Sequence, residues 1–156
     1  MTPTSSHLTA VTSSSHHQSA VELIVPATSA EVAGVRRAVG ALAARSGLDA
    51  DRLSDIALAV GEACANAVVH AYADRETGLL RVKADLTEQG LEVTIADEGR
   101  GMAPRADSPG LGLGLPLMAS LTTAIDFRST ATGGTEIWMV FATSGLAAGS
   151  SWARTG

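Results

Sequence analysis

Hydrophobic residues recur along the chain in two different periods, and the longer period predicts helices. Apolar side chains fall three or four residues apart within residues 32–42 and again within residues 53–68, which is the spacing of a helix with one buried face. Thr28 and Glu31 have the spacing of a capping box before the first helix, and Gly47 would end it. Two consecutive amphipathic helices are therefore expected in the first half of the chain.

The shorter period, an alternation of apolar and polar residues, predicts strands. The expected strands cover residues 21–25, 80–86, 91–95, 125–129 and 136–141, and a third helix follows the glycine-rich residues 97–114. The turns Glu88-Gln89-Gly90 and Thr132-Gly133-Gly134 would make hairpins of the last four strands. Because the order β-α-α-β-β-α-β-β does not alternate regularly, we expect an α+β fold. It would be a two-layer sandwich, a mostly antiparallel mixed sheet with helices on one face.

The length of the chain suits one domain with a tail at each end. Residues 1–20 are rich in serine, threonine and histidine, and residues 144–156 are mostly small and polar. Neither segment offers enough apolar surface to offset the entropy of the chain, so we expect two disordered tails around a domain of residues 21–143. Cys64 excludes a disulfide framework because it is the single cysteine. Its neighbours are apolar, and it is expected in the core together with Trp138.

Charge and composition exclude several classes of function. The 156 residues include 11 Lys and Arg against 16 Asp and Glu, a formal net charge of −5, so we expect no direct binding of nucleic acid. Lys83 is the single lysine, and no P-loop string surrounds it. No apolar run reaches the roughly 18 residues of a membrane span, and the N-terminus lacks the features of a signal peptide. A cytoplasmic protein that does not bind membranes is expected.

Glu62, Asn66 and His70 follow one another at steps of four residues on the second predicted helix, which places them on one side of it. A solvated helix face is the commoner source of such a stripe. Two facts count against it here: the neighbouring residues are alanines and valines, and asparagine is a poor residue for the interior of a helix. A carboxylate beside a neutral amide oxygen suits a general base next to a ligand for Mg²⁺.

Two glycine-rich segments carry further candidate chemistry. Asp97 ends a strand and has Gly99 and Gly101 behind it, so a flat ligand can approach the backbone there. The carboxylate can accept a hydrogen bond from an exocyclic amine such as that of adenine, although an ordinary Asp-Gly turn explains the segment equally well. Residues 110–116 place free N–H groups at a helix start, where the dipole favours an anion. They do not fit the G-x-G-x-x-G pattern of a dinucleotide-binding fold.

Taken together and in this order, these motifs resemble the ATP-binding fold of the GHKL superfamily. Within that superfamily they look most like the RsbW-like anti-sigma factor serine/threonine kinases. The strings that carry the resemblance are LSDIALAVGEACANAVVHAY, VTIADEGRGM, GLGLGLPLM and GGTEIWM. They extend over about residues 20–142, and four ordered motifs are far more specific than any one of them.

The resemblance implies a Bergerat-type ATP pocket between the helices and the sheet. Glu62 would be the general base, and Asn66 would hold Mg²⁺ against the ATP phosphates with His70 nearby. Asp97 would recognise the adenine amino group, with Thr135 behind it. The remaining implied contacts are Gly99, Gly101 and Met102 around adenine, Arg105 (or Arg100) opposite the phosphate charge, and the N–H groups of Gly112, Leu113 and Gly114 on the phosphates.

The resemblance also implies an ATP-dependent serine/threonine protein kinase that binds a sigma factor and phosphorylates an anti-anti-sigma antagonist. The group's homodimer uses the first-helix region, where Arg36 or Arg37 would contact an acidic partner, although a solvated basic pair is an equal explanation. The lid between Met102 and Gly110, residues 103–109, has the short length that is typical of this group. Two alternatives stay open: an ATP-binding regulatory module that acts by partner binding without phosphoryl transfer, and a detached histidine-kinase catalytic domain. Glu62 favours the kinase, because ATP binding alone requires no base.

Overall fold

The computed structural model describes residues 18–71, 78–99 and 114–143. Its elements are β1 (Gln18–Pro26), α1 (Ser29–Ala44), α2 (Ala50–Asn66), a π-helical turn (Ala67–Ala71), β2 (Leu79–Thr87), β3 (Gly90–Asp97), α3 (Gly114–Leu121), β4 (Ala124–Ser129) and β5 (Thr135–Phe141). Their order and the α+β class confirm the prediction. The predicted disorder of the tails concerns residues outside the described ones, apart from residues 18–20.

The five strands form one sheet in the order β1-β2-β3-β5-β4. All four pairings between the described strands are antiparallel, so the mixed sheet that we expected has no parallel pair in this part of the chain. The β2–β3 hairpin closes through a two-residue turn because Thr87 pairs with Gly90. Alternate residues of each strand face the helices, and Ile95 lies opposite Ile137 on that side.

The core fills the space between the helices and one face of the sheet. The helices supply Val35, Val39, Leu42, Ala43, Ile56, Ala59, Val60, Ala63, Cys64 and Met118, all buried. Cys64 is fully buried, as expected, whereas Leu53 and Val68 of the predicted α2 face are only partly buried. The buried stripe of α2 instead includes Ala59 and Ala63, whose small side chains let the helix approach its neighbours closely.

Trp138 is not part of this core, and the prediction that placed it there was wrong. Ile137 and Met139 face the helices, so the alternation along β5 turns the residue between them to the opposite face of the sheet. Trp138 is half-buried there, and its Nε1–H donates to Glu92 Oε2 at 3.4 Å. The indole therefore covers part of the sheet face that lies opposite the helices.

Two further details differ from the sequence-based expectation. β1 begins at Gln18, so residues 18–20 belong to the sheet and not to the tail; backbone pairing with β2 does not depend on apolar side chains. Thr28 stands at the N-cap of α1, but its side chain makes no capping hydrogen bond, and the capping box is not formed. In α2 the cap is made by Asp49, whose Oδ1 accepts from the backbone N–H of Arg52 at 2.8 Å.

None of the helices in residues 18–71, 78–99 and 114–143 combines the length and the apolar character needed to cross a bilayer.

Candidate functional site

The first cluster of candidate residues lies where α2 meets the start of α3. Glu62 and Asn66 are half-buried near the end of α2, and Gly114 is the buried first residue of α3. A Cβ atom placed on Gly114 would stand 3.2 Å from Glu62 Oε2 and 3.7 Å from Asn66 Oδ1. The fold thus brings together three predicted site residues from two separate motifs. We call them the helix cluster.

Asn66 contributes a polar group that folding alone leaves without a partner. Its Nδ2 atom is buried and has no hydrogen-bond partner within the described segments. Leaving a buried donor unpaired costs about 1–3 kcal/mol, so such a group in a native structure calls for a physical reason. The helix cluster thus offers a hydrogen-bond donor, Asn66 Nδ2, and a neutral oxygen, Asn66 Oδ1, beside the Glu62 carboxylate. These groups fit a polar or charged ligand.

The predicted stripe does not continue to His70 with the same geometry. α2 gives way to the π-helical turn after Asn66, and this turn carries His70. Hydrogen bonds from i to i+5 widen the turn, so a residue four positions on is not one α-helical turn away. His70 thus follows Asn66 in the fold, and its side chain lies outside the described part of the structure. π-helical turns occur often at functional sites.

The second cluster of candidate residues lies at the end of β3. Asp97 is 6% exposed and extends the buried alternation of that strand towards the helices. Its Oδ1 accepts hydrogen bonds from the backbone N–H of Gly99 at 2.9 Å and of Thr135 at 3.4 Å. Both of these bonds, which join residues of the described segments, end on Oδ1. We call these three residues the strand-end cluster.

The environment of Asp97 opposes its charge. Burial raises the pKa of this carboxyl above its ordinary value, and the two backbone hydrogen bonds counteract that effect only in part. The folded protein therefore holds a carboxylate in a place where ionisation is costly. A buried acid of this kind is more common at binding and catalytic sites than elsewhere.

Gly134 holds the strand-end cluster together, and the sequence did not single it out. Its backbone packs directly on the Asp97 carbonyl group, where a Cβ atom would overlap the carbonyl oxygen. Thr135, the next residue, also lines an open surface depression with Phe127, Arg128 and Ser129. The signal that could have identified Gly134 is its place directly before Thr135 in the Gly-Gly-Thr string.

Six other predicted site residues and the predicted lid, residues 103–109, lie outside the described segments. The six residues are Arg100, Gly101, Met102, Arg105, Gly112 and Leu113, and the roles given to them remain predictions. The two glycines among the described candidates, Gly99 and Gly114, lie one in each cluster.

Comparison with known proteins places the chain in a family. Residues 25–141 match the family model described as a histidine kinase-like ATPase domain. The chain is 34% identical over 124 residues to the serine-protein kinase RsbW of Bacillus velezensis, covering 70% of this chain and 78% of that relative. It is 32% identical over 113 residues to the anti-sigma F factor of Clostridium beijerinckii, covering 65% of this chain and 79% of that one.

The fold has a counterpart among solved structures. The crystal structure of the RsbU and RsbW domains of Rv1364c from Mycobacterium tuberculosis superposes with a TM-score of 0.63 at 23% identity. The match covers 81% of this chain and 33% of that chain, so the present chain spans about a third of its length. At this identity the likeness establishes a shared fold, and the sequence matches establish the family. The chain belongs to the histidine kinase-like ATPase family, and within it to the branch of the RsbW-type serine-protein kinases.

Proposed function

We propose that this chain is an ATP-dependent serine/threonine protein kinase and anti-sigma factor, which binds a sigma factor and phosphorylates an anti-anti-sigma antagonist. The observation that supports this best is the position of Glu62, whose carboxylate lies beside Asn66 and the start of α3. A module that only bound ATP would need Asn66 and Asp97 but no base. A carboxylate held next to the ligand-binding amide is therefore better explained by proton transfer.

Recognition of the nucleotide falls to the strand-end cluster in this proposal. Asp97 Oδ2 would accept a hydrogen bond from the adenine amino group, while Oδ1 stays bonded to the backbone of Gly99 and Thr135. A donor from the ligand would also stabilise the ionised carboxylate in its buried position. Adenine contacts from Gly101 and Met102 are part of the same proposal.

The helix cluster would hold the phosphates and the metal ion. Asn66 would be the protein ligand of Mg²⁺, with His70 near it. The described residues contain no group of three or more His, Cys, Asp and Glu side chains that could hold a metal. Phosphate oxygens and water would complete the shell, as is usual for Mg²⁺. When bound, the ion neutralises negative charge on the phosphates. The N–H groups of residues 112–114 and the side chain of Arg105 would share that role.

Glu62 would accept the proton of a serine or threonine hydroxyl on the protein substrate. As the proton leaves, the hydroxyl oxygen forms its bond to the γ-phosphorus of ATP, and the bond from that phosphorus to the β–γ bridging oxygen breaks. The products are the phosphorylated side chain and ADP, with the proton on the Glu62 carboxylate. Water then removes this proton and restores the base.

The partners are proposed from the relatives and from the surface of α1. Arg36 and Arg37 are exposed on α1. The Arg36 side chain crosses α2 at Gly61, since a Cβ atom there would lie 3.3 Å from Arg36 Cδ. The basic surface of α1 thus reaches α2 at Gly61, the residue before Glu62. We propose that it meets an acidic partner surface and that this region also forms a homodimer.

The test compares Glu62→Gln with Glu88→Gln, a matched change at an exposed turn residue. Each protein is incubated with Mg²⁺, γ-³²P-ATP and an extract of the source organism, and labelled proteins are identified by mass spectrometry. Calorimetric titration measures ATP binding in parallel. We expect acid-stable phosphate on serine or threonine, lost in Glu62→Gln and kept in Glu88→Gln, with ATP binding unchanged in both.

Other results would favour the alternatives. Normal transfer by Glu62→Gln would show that Glu62 is not the base. ATP binding without transfer by the wild type would favour the regulatory module that acts by partner binding alone. Acid-labile phosphate on a partner histidine would identify a detached histidine-kinase catalytic domain.

A further inference from the structure

The contact between the start of α3 and the end of α2 gives a role to a position that has no side chain. We propose that Gly114 is a positioning residue for Glu62. The missing side chain lets the first turn of α3 lie against α2 while the Glu62 carboxylate keeps its place. This inference rests on the proposed function of Glu62 as the general base.

The distances single out the carboxylate as the group that an added side chain would disturb. A Cβ atom on Gly114 would stand 3.2 Å from Glu62 Oε2, against 3.7 Å and 3.9 Å from the two polar atoms of the Asn66 side chain. Carbon atoms meet other heavy atoms comfortably at about 3.5–4.0 Å. The Asn66 amide therefore lies at an ordinary contact distance from the added Cβ atom, whereas the Glu62 carboxylate lies too close to it.

The carboxylate, and not α3, is the part free to move. Met118 of α3 is fully buried in the core, and Leu115 packs against the core, so the helix cannot withdraw without opening a gap. Glu62 is half-buried, and its carboxylate can rotate about the bonds of its own side chain. An alanine at position 114 would thus turn the carboxylate away from Gly114 and leave the helices in place.

Backbone conformation does not explain why glycine stands here. Among the described residues, positive φ is found at Gly47, Gly90 and Gly133, so Gly114 has a backbone that alanine also adopts. Alanine is moreover the better helix former. The close contact with Glu62, and not the backbone conformation, therefore explains why glycine occupies position 114.

The test pairs Gly114→Ala with Gly40→Ala, a helical glycine of α1 whose added Cβ would have nothing within 4 Å. Water serves as the acceptor, so that hydrolysis of ATP is measured without a partner protein. We expect Gly114→Ala to lower kcat by about 10- to 100-fold, the usual effect of a misplaced catalytic group. The calorimetric Kd for ATP should stay within twofold, and Gly40→Ala should change neither quantity. In a Glu62→Gln background, Gly114→Ala should cause no further loss.

A second measurement needs no nucleotide. The side-chain carboxyl ¹³C resonance of Glu62 is assigned by its absence in Glu62→Gln, and it should shift in Gly114→Ala but not in Gly40→Ala. An unchanged resonance would overturn the inference. The inference would also be overturned if Gly114→Ala lowered the affinity for ATP enough to account for the loss of rate, and did so in the Glu62→Gln background as well. Gly114 would then act on the nucleotide and not on Glu62. Failure of the wild type to use ATP at all would refute the proposed function, and the resonance would still decide whether Gly114 positions Glu62.

Discussion

Replacing Gly134 by alanine is expected to push the start of β5 away from the end of β3. A Cβ atom at this position would overlap the Asp97 carbonyl oxygen and stand 2.7 Å from its carbon and 2.8 Å from Glu98 Cα. These are backbone atoms, which cannot rotate aside as a side chain does. The turn before β5 would have to retreat, and the N–H of Thr135 would move away from the Asp97 carboxylate.

The magnitude follows from two contributions. Overpacking against rigid neighbours costs about 1–3 kcal/mol. Loss of the 3.4 Å hydrogen bond from Thr135 to Asp97 adds about 1 kcal/mol. A total of about 2–4 kcal/mol corresponds to a Tm lower by roughly 8–16 °C in a domain of this size. Because the displaced atoms belong to the strand-end cluster, ATP affinity should fall as well.

Gly133 provides the matched control because it is the adjacent glycine and serves a different purpose. It is exposed, its φ is 89°, and an added Cβ atom would have nothing within 4 Å. Gly133→Ala therefore costs only the strain of a left-handed backbone, about 1–2 kcal/mol. Gly133→Asn should recover part of this, since asparagine tolerates that conformation. Neither change at Gly133 should alter ATP affinity.

The assay combines thermal unfolding followed by circular dichroism with calorimetric titration of ATP. We expect the largest loss of Tm in Gly134→Ala, and a loss of ATP affinity in that variant alone. Equal losses of stability in Gly134→Ala and Gly133→Ala, with ATP affinity intact in both, would show that this turn does not pack against Asp97. The described arrangement of the strand-end cluster would then be wrong.

Two further predictions follow from ionisable groups. Burial raises the pKa of the Asp97 carboxyl in the folded state above its value in the unfolded chain. With respect to this group the fold is therefore most stable below the unfolded-state pKa, and this stability is lost as pH rises through the folded-state pKa. Asp97→Asn should therefore raise Tm at about pH 7, by an amount that shrinks towards acid pH, and it should abolish ATP binding. A Tm below that of the wild type at neutral pH would contradict this. Burial also raises the pKa of the Cys64 thiol to about 12, so a thiol reagent at about pH 8 should label it only as fast as the core opens. Labelling of the native protein at the rate of a free thiol would refute the buried position of Cys64.

The order of the elements could be predicted because it depends on local patterns. The period of the apolar residues distinguishes helix from strand, and the residues Glu88 and Gln89 form the turn of the first hairpin. The placement of Trp138 failed for a different reason. The prediction relied on its size and apolar neighbours, whereas the alternation that buries Ile137 and Met139 turns it to the other face of the sheet.

The site could be predicted only as a set of motifs, and its contacts could not. Glu62 and Gly114 lie far apart in the chain, and only the packing of α3 on α2 brings them together. The same holds for Gly134, which packs on the end of a strand far from it in sequence. The π-helical turn at His70 gave no signal either, since the alanines and valines around it are equally compatible with an α-helix.

The burial of Asn66 Nδ2 favours one of the two explanations of the stripe on α2 over the other. A solvated helix face needs its polar atoms in water, but Asn66 Nδ2 is buried and has no hydrogen-bond partner within the described segments. Asp97 is likewise buried although its ionisation opposes burial. Each group lowers the stability of the unliganded fold, and a ligand that paired with both would bind the folded state and stabilise it. Groups that make the unliganded protein less stable are expected where a sequence serves binding and not packing. Burial thus favours a binding site over a solvated face, and it does so independently of any relative.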